Sequence, residues 1–400
     1  MMTTTFARCL QTASLAGVLS LALGLAGCAS PPVARSFKTE QPFDQAVAEA
    51  TDSLVMQVQA HKEKGQVLFS KPKRNVVLDP MIDAGGAQQT AATQVLQDRV
   101  TERLNANAET IRILPFDSAN LPNARYLLTG TMKRMSVEGP PGPLQINLAL
   151  TELASGTVVA QSSAVARDEG LDHTPLPYYR DTPVPTRDRV IEGYARTTTT
   201  SPGEHGDAYY LQRLSTAPAI KEGNAHYNAE RYQDALAQYS AGGGDQLRAL
   251  NGIYLSSVKL GRSAEAEDAF GKIVAYGIAN QQLGVKFLFN PNSTVFWSEP
   301  RISGPYAMWL REIAKVSAGA KVCMDIVGHT SHTGPVAYND LLSLQRARYV
   351  RQRLIGESTV LTDRTTPSGK GFRENIIGSG TDDAIDALDR RVEFKIVECS

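Results

Sequence analysis

Apolar positions along the chain change their spacing several times, and each change marks an element. Leu10 to Leu25 is rich in Leu, Ala and Gly, yet shorter than the ~20 apolar residues that span a bilayer comfortably. From Phe43 the spacing becomes helical: Phe43, Val47, Ala50, Leu54 and Val58 recur every three or four residues. Asn75 to Leu78 is a short β-branched run stopped by Asp79-Pro80, which predicts a strand. Val95, Leu96, Val100 and Leu104 mark a second helix. Ile111 to Phe116 and Tyr126 to Met132 read as strands, and Leu144, Ile146, Leu148 and Leu150 alternate as in a half-buried strand. After the turn at Ser155-Gly156, Val158 to Ala160 closes a hairpin, so residues 43–167 are expected to form a mixed α/β domain.

Two stretches break the pattern. Residues 28–42 hold Pro31-Pro32 and few large apolar side chains, and read as a tether. Residues 168–215 hold Pro175, Pro177, Pro183, Pro185 and Pro202 with Thr197 to Thr200, and read as a Pro-rich linker or an irregular excursion, with Tyr178 and Tyr179 placed to dock part of it on a neighbour. Residues 216–280 are helical and repeat: Tyr232-Gln-Asp-Ala-Leu-Ala-Gln-Tyr239 is echoed 31 residues on by Ser263-Ala-Glu-Ala-Glu-Asp-Ala-Phe270. Residues 283–398 return to alternation. Val285 to Phe289 predicts a strand, and Pro305 suits the start of a helix whose buried stripe is Tyr306, Trp309, Leu310 and Ile313. Lys321 to Val327 predicts a strand, Tyr338 to Leu354 a helix, and Ile376-Ile377 and Val392 to Val397 the last strands. The order is β-α-β-α-β-β, and the whole chain is a multidomain α/β and α protein.

Composition narrows the function. Formal charge is zero, with 41 basic and 41 acidic residues, so no broad basic face is available for nucleic acid. The amino terminus carries Arg8 ahead of the apolar run, as a secretory signal does. That run ends in Leu25-Ala26-Gly27-Cys28, which resembles the bacterial lipobox. The resemblance implies that residues 1–27 are a signal peptide and that Cys28 carries the lipid, palmitate among its acyl chains. Two or three acyl chains anchor stably, at ~0.8 kcal/mol per buried CH₂. Ala29-Ser30 lack the acidic residue that resembles an inner-membrane retention signal, so the outer membrane is the expected location, with the chain facing the periplasm.

Three regions resemble known families. Asn75-Val-Val-Leu-Asp79, Arg125-Tyr-Leu-Leu-Thr-Gly-Thr131 and Leu150-Thr-Glu-Leu-Ala-Ser-Gly-Thr157 resemble the periplasmic domain of CsgG-like, FlgO-like and LpoB-like lipoproteins. The helical repeat, with Gly223, Tyr227 and Leu260-Gly261, resembles tetratricopeptide repeats, which place small residues where helices cross. Residues 283–398 resemble the OmpA-like peptidoglycan-binding domain found also in Pal and MotB proteins. The matching blocks are Gly328-His-Thr, Gly334, Tyr338-Asn339 with Leu342-Ser343 and Arg346-Ala347, and Asp389-Arg-Arg-Val-Glu-Phe394.

The last resemblance implies a site. A peptidoglycan stem peptide carries free carboxylates and, in many bacteria, diaminopimelate with an amine and a carboxylate. Arg presents a planar fork that donates two parallel hydrogen bonds to a carboxylate. Asn339 and Arg346 stand two helical turns apart and project from one side of the helix. By resemblance, Thr330, the residue after it, Asn339, Arg346 and an Arg of the pair Arg390-Arg391 line the ligand site. The family usually has Asp after Gly-His-Thr to receive the diaminopimelate amine; here Ser331 stands there and a charge-assisted contact is lost. Asp340 or Asp389 would be the carboxylate that compensates.

Function follows as an expectation: a non-enzymatic outer-membrane lipoprotein that binds peptidoglycan and tethers or scaffolds the envelope, with a periplasmic protein partner. The alternative is a regulator of a peptidoglycan synthase or of a secretion or motility assembly. No Ser-His-Asp, Cys-His or zinc-ligand spacing stands out, and His329 and His332 lack further ligands, so neither catalysis, metal nor cofactor is expected. Cys323 and Cys399 remain in an exported chain; the sequence permits a disulfide between them without requiring one.

Overall fold

The computed structural model describes residues 35–60, 74–106, 111–135, 142–281, 283–290, 293–377, 380 and 389–399. The expected signal segment 1–27, Cys28 and residues 29–34 of the expected tether lie outside them. Among the described residues no helix is long and apolar enough to cross a membrane.

The amino-terminal region is a seven-stranded sheet built from β1 (Arg35–Gln41), β2 (Arg74–Leu78), β3 (Ile82–Asp83), β4 (Ile111–Leu114), β5 (Tyr126–Arg134), β6 (Leu144–Glu152) and β7 (Thr157–Ala166), with α1 (Phe43–Ala60) and α2 (Ala91–Asn105). The order is β1-β7-β6-β5-β2-β4, with β3 beside β5. The chain β5-β6-β7 is an antiparallel meander, as the expected hairpin requires, while β2 runs parallel to β4 and β5. Residues 35–41, expected within the tether, instead form an edge strand parallel to β7. The helical stripe Phe43, Val47, Ala50, Leu54 and Val58 is buried against one sheet face, alongside Leu96, Val100 and Leu104 of α2. Thr90 starts α2: its hydroxyl accepts from Thr93 N, and Thr93 returns a bond from Thr90 N.

The opposite face corrects the linker reading. Residues 168–215 are not an open linker but contain α3 (Pro177–Asp181), α4 (Arg189–Thr199) and α5 (Ala208–Gln212). Val190, Ile191 and Tyr194 of α4 and Tyr210 of α5 bury against Val77, Ile82, Leu114 and Leu127 of the sheet. Tyr194 Oη accepts from Gly130 N at 2.9 Å, and Tyr210 Oη donates to Asp79 Oδ2 at 2.6 Å. Proline and threonine content suggested a loop; the caps show otherwise. Asp188 accepts from Ile191 N, Asp207 accepts from Tyr210 N, and Pro177 occupies a first helical turn.

Two helical hairpins follow: α6 (Ala217–Asn228) with α7 (Tyr232–Ala241), and α8 (Leu247–Lys259) with α9 (Ser263–Ala279). Tyr239 is wedged between Gly223 and Gly252, where an added Cβ would lie 2.6 Å and 2.4 Å from its ring. The small residues of the repeat therefore stand where the helices cross.

The carboxy-terminal region holds β8 (Leu283–Val285), α10 (Pro300–Ser303), α11 (Tyr306–Ala320), β9 (Cys323–Gly328), α12 (Val336–Glu357), β10 (Thr365–Gly369) and β11 (Val392–Val397). The sheet order is β10-β9-β11-β8. The β-α-β-α-β-β order holds among the main elements, but two strands differ from expectation. β8 stops at Val285, because Lys286 N turns away and donates to Pro183 O at 2.9 Å. The strand placed at Ile376-Ile377 is a bend: both N–H groups donate to the Asp389 carboxylate, at 2.6 and 3.0 Å. The missing strand is β10, Thr365-Thr-Pro-Ser-Gly369, whose proline is tolerated at the edge of the sheet.

One core joins the helical hairpins to this sheet. Tyr178, Tyr239, Tyr254, Phe270 and Ile273 pack in the same cluster as Trp309, Ile313, Ile326, Val350 and Phe394. Trp309 lies parallel to Phe270 at 5.5 Å between centroids and donates Nε1 to Tyr254 Oη at 2.7 Å.

Candidate functional site

The site grows from the end of β9. A Cβ on Gly328 would stand 2.1 Å from Ser343 O, so only glycine lets β9 approach α12 this closely. The loop that follows is held by backbone bonds: His329 N to Arg391 O at 3.0 Å and Thr330 N to Gly371 O at 2.9 Å. Gly334 takes a positive φ of 78° and turns the chain into α12. Asn339 then reaches back, donating Nδ2 to Thr333 O at 2.6 Å and to Pro335 O at 3.1 Å. These contacts place Thr330 and Ser331 beside the first turns of α12.

A cavity of about 740 Å³ opens there, lined by Thr330, Ser331, Asn339, Arg346 and Arg390 among others. Arg346 is only 5% exposed. Its guanidinium carbon lies 4.8 Å from the Phe289 ring centre, and Nε donates to Ser293 O at 3.2 Å. The arginine fork is thus held by a ring face and a carbonyl at the cavity wall. The two neighbouring arginines part company. Arg390 lines the cavity; Arg391 does not, being 4% exposed and bonded through Nε to Glu393 Oε1 at 2.8 Å and through Nη2 to Glu374 O at 3.0 Å. Of the sequence-derived set, five residues share the cavity and Arg391 is a support for the sheet.

The expected compensating carboxylates are elsewhere. Asp340 is paired with Arg373 at 2.6 Å, and that bond holds its pKa below the usual value. Asp389 is fully buried under the 376–377 bend. Neither lines the cavity, because each is engaged by its own partner. The carboxylate that does line it is Asp181, from α3. Asp181 accepts from Tyr227 Oη at 2.9 Å and lies 3.0 Å from Arg180 Nε and 3.6 Å from Lys259 Nζ. The proline content around α3 hides Asp181 from a reading of the sequence alone. Lys286, in the same wall, donates to Tyr179 O, Arg180 O and Thr182 Oγ1 at 3.2, 3.1 and 3.2 Å. Burial pulls its pKa down to about 7.

His329 lies 3.4 Å from Glu393 Oε2, and with Glu374 makes a group whose ligand atoms fall within 4.8 Å of one another. The carboxylates are already matched by cations: Arg391 on Glu393, and Lys370 and Lys395 each 3.5 Å from Glu374. Burial raises the Glu393 pKa, but His329 and Arg391 outweigh it and bring it to about 2. His332 packs edge-on against Phe372 instead. A disulfide joins Cys323 to Cys399, with Cα atoms 5.2 Å apart, and ties the end of β11 to the start of β9.

Comparison with known proteins finds the OmpA family profile over residues 289–387. Among solved structures, the peptidoglycan-associated lipoprotein from Burkholderia pseudomallei matches at 22% identity and a TM-score of 0.23, over 28% of this chain and 88% of that one. A putative MotB like protein from Desulfovibrio vulgaris matches at 24% and 0.24, over 30% and 72%. The cell wall anchor of the T6SS from Pseudomonas aeruginosa matches at 24% and 0.23, over 29% and 80%. No curated protein matches the chain.

Proposed function

With an OmpA-family domain forming its carboxy-terminal region, we propose that this protein binds peptidoglycan non-covalently and tethers the envelope as an outer-membrane lipoprotein. One observation carries the reading: Thr330, Ser331, Asn339, Arg346 and Arg390, from three separated sequence blocks, line one cavity. In this reading Arg346 and Arg390 receive a stem-peptide carboxylate. Asn339 shapes the loop that carries Thr330 and Ser331, and the two hydroxyls offer hydrogen bonds. In the same reading Cys28 bears the lipid.

Sedimentation with purified sacculi tests the site. Wild-type protein is expected to pellet with the sacculi. Arg346→Ala is expected to weaken binding by about 2–3 kcal/mol, the scale of a charge-assisted hydrogen bond, and to stay in the supernatant. Equal sedimentation of both would remove Arg346 from the site. Metabolic labelling with palmitate, comparing wild type with Cys28→Ala, tests the anchor; label retained by the variant would refute it.

A further inference from the structure

The cavity is larger than the family's motifs account for. Its volume of about 740 Å³ lies in the upper part of the ~300–1,000 Å³ range of sites for drug-sized ligands, more than one amino-acid residue fills. Much of its wall comes from outside the matched region 289–387: Arg180 and Asp181 of α3 and Lys259 at the end of α8. Arg301 of α10 completes that side.

The charge of the lining is one-sided. Among the described residues, five side chains there are cations, Arg180, Lys259, Arg301, Arg346 and Arg390, and one is an anion, Asp181; Lys286, its pKa pulled down to about 7 by burial, adds little charge. Asp181 already lies within 3.0 Å of Arg180 and 3.6 Å of Lys259, so one carboxylate stands against two cations. Arg301 makes no ion pair among the described residues. A concave wall of one charge sign raises the local concentration of ligands of the other sign and favours their bound state. The basic residues also fall into two sets on different elements. Arg346 and Arg390 come from α12 and the segment before β11; Arg180, Lys259 and Arg301 come from α3, α8 and α10.

We propose that Arg180, Lys259 and Arg301 form a second anion subsite, which takes a second free carboxylate of the ligand held at Arg346 and Arg390. The ligand class is then a peptide with at least two separated carboxylates, and the helical hairpins act as a specificity wall for the OmpA-type site. Asp181 orients the subsite: its bonds to Arg180, Lys259 and Tyr227 hold the cations at the cavity rim. The inference rests on the peptidoglycan reading and adds to it a preference among stem peptides.

Calorimetric titration of the whole protein tests it with two ligands. One is a diaminopimelate-containing stem tripeptide; the other is the same peptide with its glutamate carboxylate converted to the amide. Wild type is expected to prefer the free acid by about tenfold, the scale of one charge-assisted hydrogen bond. The double variant Lys259→Gln, Arg301→Gln is expected to lose that preference. Lys259→Glu is expected to invert it, and unchanged circular dichroism would certify both folds. Equal affinity of wild type for the two peptides, or a preference that survives in the double variant, overturns the subsite alone. If wild type binds neither peptide, or if Arg346→Ala binds both as wild type does, the peptidoglycan reading itself falls.

Discussion

The seven-stranded sheet at the amino-terminal end is covered on both faces, and each cover has its own core. Helices α1 and α2 bury one face, and α4 and α5, which come after the sheet in sequence, bury the other. The four-stranded sheet at the carboxy-terminal end has no core of its own in this sense. Its apolar residues belong to a cluster that begins at Tyr178 and takes in residues of all four helices of the two hairpins. The first region meets the hairpins only at the edge of its second cover, where Leu214 and Ala217 join the cluster under α4 and α5. Sharing a core with the hairpins gives the second region an extra wall, and the cavity lies against that wall. A binding domain can therefore acquire new lining residues without change to its own motifs.

The comparison breaks first at Trp309. It is buried, stacked on Phe270 and bonded to Tyr254, so Trp309→Ala is expected to cost about 3–5 kcal/mol. Hydrogen exchange read by mass spectrometry should then show faster exchange in α8, α9, β9 and β11 together, with β5 to β7 unchanged. Faster exchange confined to the carboxy-terminal elements would show that the core is not shared. The disulfide is the next lever. It links cysteines 76 positions apart within the carboxy-terminal region, and reducing it is expected to lower stability by about 2–4 kcal/mol. Urea melts with and without reductant measure this; coincident melts would make the bond energetically silent.

Lys286 probes the seam itself. Its pKa is about 7 in the folded protein against 10.5 for an ordinary lysine, because burial disfavours the charge. Between pH 7 and 10.5 the unfolded chain therefore holds a proton that the folded chain does not. This site's contribution to stability rises with pH across that window, on the order of 1 kcal/mol per pH unit, and is flat below pH 7. Lys286→Met removes the dependence, so its stability relative to wild type should fall steadily from pH 7 to pH 10. Melting temperatures at one-unit pH steps read the trend, and a difference that stays constant would deny the lysine its low pKa. The smallest effect is expected from Ser331→Asp. A carboxylate there supplies the charge-assisted contact to a diaminopimelate amine and should tighten stem-peptide binding by about tenfold. Unaltered affinity would mean that the amine is received elsewhere in the cavity.

Much of the architecture was legible because it is encoded over short range. The stripe of α1 depends on neighbours within a turn. The strand β6 is legible as a strand, but it is not half-buried as its alternation predicts: Asn147, Ala149 and Thr151 are buried too, because helices cover both faces of the sheet. Where the pattern misled, a distant partner had decided the local structure. Ile376 and Ile377 are apolar and β-branched, yet a buried carboxylate thirteen residues on captures their N–H groups. Thr365 to Gly369 has the composition of a loop, yet β9 pairs with it at an edge that tolerates proline. The segment 168–215 looked like a linker because its proline content is visible in sequence and the sheet face awaiting its tyrosines is not.

By itself the sequence determined the main helices and strands, the order of the carboxy-terminal elements and the residue types of the candidate site. Only the tertiary structure decided that Arg346 is buried against Phe289, that Arg390 rather than Arg391 meets the cavity, and that Asp181 and Lys259 complete its wall. The physical reason is one of range. Periodicity, caps and glycine turns act between residues close along the chain, whereas a cavity wall is set by which apolar faces share a core, and here residues from Tyr178 to Phe394 share one.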